Sequence, residues 1–548
     1  MSRTKALLSE AALLSVLAAL AACGPHKAVR PPCSAGQVCL ELGNDAEPIS
    51  LSPLKITGTW EDRVVSDLIV GLTQSDPEGR PIPGMATSWE TSPDGETWTF
   101  HLREAVWSDG VPVTADDFVF AMRRLMDPAE ASEYASVLYV IKNAEAANEG
   151  KLPPTALGVK ALDPHTLQIT LEHPAPYLLE LAKHQTMLPV PQHVVAKWGD
   201  DWSKPEHYVG NGPFKLVSWT LGDHIHVVKN PLFWDAKSVC VDQIDYYPTV
   251  DPVAAEKRVR SGELDANGSI QANRVAFLKE PGQMPAYVRV HSYLGVSYLA
   301  FNTHDPGPLR DRRVRIALAM SIDRDFIAQK LDKGVVQAAY TFVPPGTANY
   351  TPPPPPVWAS WPLARRQAAA RILLAEAGYG LGRPLKLELK HSISTGADVV
   401  MPSIQADWKA VGVALSLAEE DAQINYQDLR MRNFQIGSAG WIADYDDAMN
   451  FLYLNESSTG AQNYGDYHNP AYDRLLAEAD QEPDAKKRAA EMRQAEAIML
   501  ADQPVTPITF ATNTDLVNPR ITGWVDNILD QHRSRYLCVK GVKGPPYR

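Results

Sequence analysis

After Arg3 and Lys5 the chain runs into an apolar segment, residues 11–22, broken only by Ser15. A bilayer-spanning helix takes about 20 such residues, so this segment reads as an export signal and not as a membrane anchor. That feature sets the conditions under which everything else must fold. The rest of the chain is expected to fold after translocation, where thiols oxidise. Residues 1–22 are read as a signal peptide, and 23–37, with Lys27, Pro31 and Pro32, as a flexible tether. The 548 residues are 45% hydrophobic and 21% charged, an ordinary globular balance that can fill two or three domains. The formal net charge of -13 argues against nucleic-acid binding, which needs a basic face.

No internal repeat is visible, and strand and helix patterns alternate irregularly. Residues 38–42 read as a strand, 97–102 alternate polar and apolar as a half-buried strand does, and 165–171 read as another. Thr114-Ala115-Asp116-Asp117 opens a helix, with Thr114 placed to accept from the amide of Asp117 and two acids at the positive helix start. Pro128 closes it. Further helices are expected over 311–319, capped by Asp311, and over 363–377, stopping at Gly378. Residues 484–500 read as a long alanine- and charge-rich helix whose charges form a solvated face. The prolines at 352–356 make an extended, stiff surface loop. This mixture predicts α/β lobes without fixing their connectivity.

Signatures of catalysis are missing from the sequence. It holds no Gly-x-Ser-x-Gly elbow, no phosphate loop ending in Gly-Lys-Ser/Thr and no His-Glu-x-x-His helix. Gly378-Tyr379-Gly380-Leu381-Gly382 follows a helix and lacks a preceding strand, which disfavours a dinucleotide site. The acids of Asp116-Asp117 and Asp446-Asp447 are adjacent and do not project from one helical face. The 14 histidines are scattered, each read as surface or satisfied core. The expectation is a protein without enzymatic activity, cofactor or bound metal.

Leu20-Ala21-Ala22-Cys23-Gly24 resembles the bacterial lipoprotein cleavage box, which implies a lipid on Cys23 and membrane attachment through it. Four cysteines then remain, an even number in an oxidising compartment. They allow three pairings; Cys33 with Cys39 and Cys240 with Cys538 is the favoured one, and buried free thiols are the alternative.

The stretch from Pro83-Gly84-Met85-Ala86-Thr87-Ser88-Trp89-Glu90 to Trp107-Ser108-Asp109-Gly110 and Thr114-Ala115-Asp116-Asp117-Phe118 resembles the signature of the peptide/nickel class of extracellular solute-binding proteins. Phe233-Trp234-Asp235, Arg260-Ser261-Gly262-Glu263-Leu264-Asp265, Leu299-Ala300-Phe301-Asn302 and Gly440-Trp441-Ile442-Ala443-Asp444-Tyr445 extend the likeness over nearly everything after residue 40. Leu157-Gly158-Val159-Lys160-Ala161-Leu162 is similar to the oligopeptide-binding members. The resemblance implies an α/β, periplasmic-binding-protein-like fold of two lobes and an extra domain, closing by hinge motion on an interlobe cleft. The expected division is 38–69, 193–294 and 512–548 for lobe I, 70–192 for the extra domain II, and 295–511 for lobe III. It further implies a monomer that binds short peptides and hands them to the permease of an ABC importer. A murein peptide, metal chelate, opine or glycan as cargo, or a receptor without a transport role, are the alternatives.

The same resemblance supplies site residues. Asp444 corresponds to the aspartate that pairs with the peptide α-ammonium, a charge-assisted contact. Thr57, Thr59, Gly440 and Ile442 correspond to backbone partners of an extended peptide. Tyr134, Trp441 and Ser269 stand at positions near the ligand, with Ser269 replacing an asparagine. Ser438 and Leu429 occupy the places of two carboxylate-binding arginines, leaving Arg430 and Arg432 as candidates for that role. Gly295 and Ile442 occupy the positions of a disulfide found in relatives.

Overall fold

The computed structural model describes residues 33–380, 382–393 and 397–541. The signal segment, Cys23 and most of the tether lie outside the described residues. Two long antiparallel strands, Val288–Phe301 and Val505–Val517, form the centre of a large mixed sheet. On one flank Val505–Val517 pairs with Ala266–Asn267, followed by Cys39–Gly43, Gln243–Tyr247, His224–Lys229 and Phe214–Thr220. On the other, Val288–Phe301 pairs with Ile436–Ile442, followed by Leu385–Ser392 and Val413–Glu420. The flanks build different cores. One is packed from Leu40, Leu42, Phe214, Val227 and Ile244; another from Leu385, Leu387, Leu389, Trp408 and Ile436. The result is two lobes joined through a shared pair of strands.

The ladder between those two strands shifts register between Ser292 and Val296. Leu294 turns its backbone elsewhere at this point: its amide donates to Ile528 and its carbonyl accepts from Ala443, each at 2.9 Å. The break therefore anchors two segments that border the interlobe space.

A separate antiparallel sheet of Ala86–Thr91, Thr97–Leu102, Thr166–Thr170 and Val159–Asp163 shares the first core, covered by helix Ala115–Leu125. At that helix start the Asp117 carboxylate reaches back to the Thr114 amide at 2.9 Å and to Trp107 Nε1 at 3.3 Å, while the Asp117 amide takes the Thr114 carbonyl. Disulfides join Cys33 to Cys39 and Cys240 to Cys538, the second tying the C-terminal segment to the first lobe.

Helix Arg312–Ser321 is capped by Asp311, and helix Leu363–Glu376 ends before Gly378 at φ 90°. Helix Ala485–Asp502 departs from the expected solvated charge face. Arg488 and Glu496 point inward, Arg488 onto the Asp447 carboxylate through two bonds of 2.6 and 2.9 Å.

Candidate functional site

Strand Ile436–Ile442 pairs with Val288–Phe301 along its whole length, with Gly295 opposite Ile442. Its outer edge meets Leu385–Ser392 only at Ile436 and Gly437. Beyond Gly437 that edge has no strand partner among the described residues, and side chains attend it instead. Asn425 Nδ2 donates to the Ser438 carbonyl at 3.1 Å and the Gly440 amide donates to the Tyr426 hydroxyl at 3.2 Å. The chain then leaves the sheet through Ala443-Asp444-Tyr445. Asn450 holds this exit: its Oδ1 accepts from Trp441 Nε1 at 2.9 Å and from the Asp444 amide at 3.2 Å.

Four consecutive side chains leave this turn in different directions. Tyr445 stacks on Tyr177 across the lobes, with centroids 4.9 Å apart. Asp446 accepts from the Ala348 amide at 2.7 Å, and Asp447 holds Arg488. Asp444 instead faces a cavity of about 350 Å³ between the lobes. Its carboxylate accepts from the Tyr134 hydroxyl at 3.2 Å, and Tyr134 lies over His184 with centroids 5.8 Å apart. Among the described residues no lysine or arginine forms an ion pair with it. Burial pushes the Asp444 carboxyl above its ordinary value, opposed by His184, Tyr134 and Asn450. Burial likewise pushes His184 down, towards the neutral ring.

The facing wall is the loop that opens helix Thr59–Leu68. Glu61 accepts from the amides of Thr57 and Gly58 at 3.0 and 2.9 Å and so presses the loop against its own helix. Thr57 and Thr59 line the cavity, as do Tyr134, Ile442 and Asp444. Ile442 is 42% exposed there, an apolar surface open to a ligand.

The remaining wall comes from the C-terminal segment through Asp530, His532 and Arg533. Arg533 pairs with Asp62 at 2.9 Å, and Arg63 with Asp45 at 3.1 Å. Burial opposes the charge of Asp62, but Arg533, Ser66 and His184 together outweigh it and keep the carboxyl below its ordinary value.

Other expected residues stand apart from the cavity. Arg430 is exposed at the end of helix Ala422–Arg430. Arg432, at φ 59°, pairs with Asp466 at 2.9 Å. Trp441 packs edge-on against Tyr453 in the second lobe. Ser269 donates to Asp45 at 3.1 Å and so braces the Asp45–Arg63 pair that borders the cavity.

Sequence reasoning missed His184, Tyr293, Arg63, His532 and Arg533. The only signal for the last two was the crowding of charge in Asp530-Gln531-His532-Arg533 near the chain end. No helix among the described residues is long and apolar enough to cross a membrane.

Residues 80–463 match the family model described as bacterial extracellular solute-binding proteins, family 5 middle. The chain is 37% identical over 527 residues to the periplasmic oligopeptide-binding protein OppA of Salmonella typhimurium, covering 94% of this chain and 96% of that one. It is 36% identical over 498 residues to the periplasmic murein peptide-binding protein MppA of Escherichia coli, covering 90% and 91%. The crystal structure of Haemophilus influenzae OppA in complex with RPPGFSPFR superposes with a TM-score of 0.78 at 35% identity, covering 92% of this chain and 99% of that one.

Proposed function

The chain belongs to the bacterial extracellular solute-binding proteins of family 5, and from that membership we propose that it captures short peptides by their amino end in the interlobe cavity. The observation that carries this reading is Asp444: a carboxylate turned into a closed-in space, raised in pKa by burial, with a tyrosine hydroxyl beside it and, among the described residues, no lysine or arginine paired to it. An α-ammonium entering the cavity supplies the missing positive charge. The open strand edge beyond Gly437 offers the peptide backbone a ladder to extend, which is indifferent to its sequence. Ile442 provides an apolar contact beside it.

The carboxyl end has a different receiver from the one the family comparison points to in sequence. Arg430 and Arg432 do not line the cavity, whereas Arg63 and Arg533 do. Both are already paired with carboxylates, so a peptide terminus would share them and would not find an isolated cation. The naming of relatives for oligopeptides and for a murein peptide is consistent with cargo of this class. The export signal and Cys23 support an exported, lipid-anchored protein serving an ABC permease, and nothing in the residues of the cavity calls for catalysis.

Calorimetry with a short peptide tests the assignment. Asp444→Ala should weaken binding at least tenfold, about 1.4 kcal/mol. The same loss should follow from acetylating the amino end of the peptide, and the two changes together should add little further. Equal affinity for free and acetylated peptide in the wild-type protein would exclude the amino-end role. Mass spectrometry of cargo retained through native purification then identifies the peptide, or shows another solute in its place.

A further inference from the structure

Behind one wall of the cavity lies a cluster to which the peptide reading gives no role, although two of its members, Asp530 and His532, also line that wall. His291 sits on one of the two long strands and Asp515 on the other, next to the register shift. Asp530 and His532 arrive from the C-terminal segment. His291 Nε2 is 3.2 Å from Asp515 Oδ2 and 3.4 Å from Asp530 Oδ1, and His532 Nε2 is 2.9 Å from Asp530 Oδ1. One donor atom from each of the four residues falls within 4.8 Å of all the others. The ligands of a tetrahedral zinc ion, with bonds of about 2.0–2.1 Å, stand roughly 3.3 Å apart. The cluster is thus already near that size.

Both rings are held in place. His291 Nδ1 faces the Ser292 carbonyl at 3.2 Å, which orients the ring with Nε2 towards the two carboxylates, as outer-shell partners of metal-bound imidazoles do. His532 is clamped against Trp524, with centroids 4.0 Å apart and planes at 21°. The charges also match. Two carboxylates meet here, that of Asp515 buried, and a divalent ion neutralises both while leaving the imidazoles uncharged. The other cation facing the pair, Arg63, is engaged with Asp45. Two imidazoles with two carboxylates suit zinc, cobalt or nickel better than calcium or magnesium, which prefer oxygen alone.

We propose that His291, Asp515, Asp530 and His532 form a site for one divalent transition-metal ion of the zinc class, coordinated by protein atoms alone. The ion staples the C-terminal segment to the two strands that join the lobes. Because Asp530 and His532 also line the cavity, occupancy stiffens one of its walls.

The test is a zinc titration into the untagged, chelator-treated full chain, followed by calorimetry and by unfolding temperature. It is run at pH 8, because metal-binding imidazoles must give up their protons and uptake of the ion releases them. Cobalt serves as an optical probe. Equimolar zinc uptake, a raised unfolding temperature and visible cobalt bands of four-coordinate type are expected. His291→Ala and His532→Ala should each weaken zinc binding at least tenfold, about 1.4 kcal/mol. His304→Ala, in a surface pair with Asp466, should bind like wild type. If the site variants fail to fold, the wild-type cobalt spectrum decides alone, and its lack of visible bands overturns the site. So does zinc uptake that survives in a folded double variant. None of these readouts depends on peptide.

Discussion

Single side chains in this molecule are sorted by whether a partner meets them. Asp447 and Arg488 satisfy one another in a buried bidentate pair, whereas Asp444, three residues before Asp447, keeps its carboxylate for the cavity. Glu496 is a third case, buried without a cation. Its carboxylate accepts from the amides of Phe342 and Val343 at 2.7 and 3.0 Å and from the Tyr350 hydroxyl at 2.6 Å. Burial nevertheless pushes it up to about 7, and the three hydrogen bonds only moderate that rise. A carboxyl that holds its proton more tightly when folded favours the fold most below its ordinary value near 4.5, and this contribution is lost as pH rises to about 7. Glu496→Gln keeps the acceptor for both amides and donates to Tyr350 from its nitrogen. Urea unfolding should show the variant close to wild type at pH 5 and more stable at pH 8. Equal pH dependence of the two proteins would mean that Glu496 is not the titrating group. Asp444 was legible in the sequence because its motif is contiguous. Arg63 and Arg533 were not, because they become neighbours of the cavity only through tertiary contacts.

At the scale of elements, local chemistry was a good guide. Asp311 and Asp484 cap the helices that follow them, each accepting from amides of the first turn. Gly378 terminates helix Leu363–Glu376 at φ 90°, and a Cβ added there meets nothing within 4 Å. Gly378→Ala should therefore lower stability by about 1 kcal/mol through backbone strain alone, with no change in ligand affinity. A larger loss in chemical denaturation would point to a contact that the open surroundings do not contain. The inward turn of Arg488 and Glu496 escaped sequence reading because helix Ala485–Asp502 carries polar residues on every face. Which charges go inside is decided by Asp447 and by the amides of Phe342 and Val343, all distant in sequence. The resemblance named Gly440 and Ile442 as backbone partners of a ligand, but that the strand edge beyond Gly437 has no strand neighbour among the described residues is a property of the sheet and has no counterpart in composition.

For the molecule as a whole, the C-terminal segment matters more than its length suggests. It supplies Asp530, His532 and Arg533 to the cavity wall and is bonded to the first lobe by Cys240–Cys538. That disulfide closes a separation of 298 residues, so by loop entropy it stabilises the fold on the order of 5 kcal/mol. The double variant Cys240→Ala, Cys538→Ala should lower the urea midpoint markedly and also weaken peptide binding, since the wall is no longer tethered. A variant with unaltered midpoint and affinity would show that packing alone positions the segment. The two-lobed plan could be anticipated from the resemblance, whereas the interruption of the central ladder could not. Strand Val288–Phe301 leads into the second lobe and Val505–Val517, paired beside it, leads out, so the chain enters and leaves that lobe at one spot. In vectorial export, amino end first, that lobe has all its strands but the returning one before residue 505 emerges. The sheet of the first lobe lacks strand Val505–Val517 until that stretch has crossed, so the half of the protein that begins first cannot complete its sheet first.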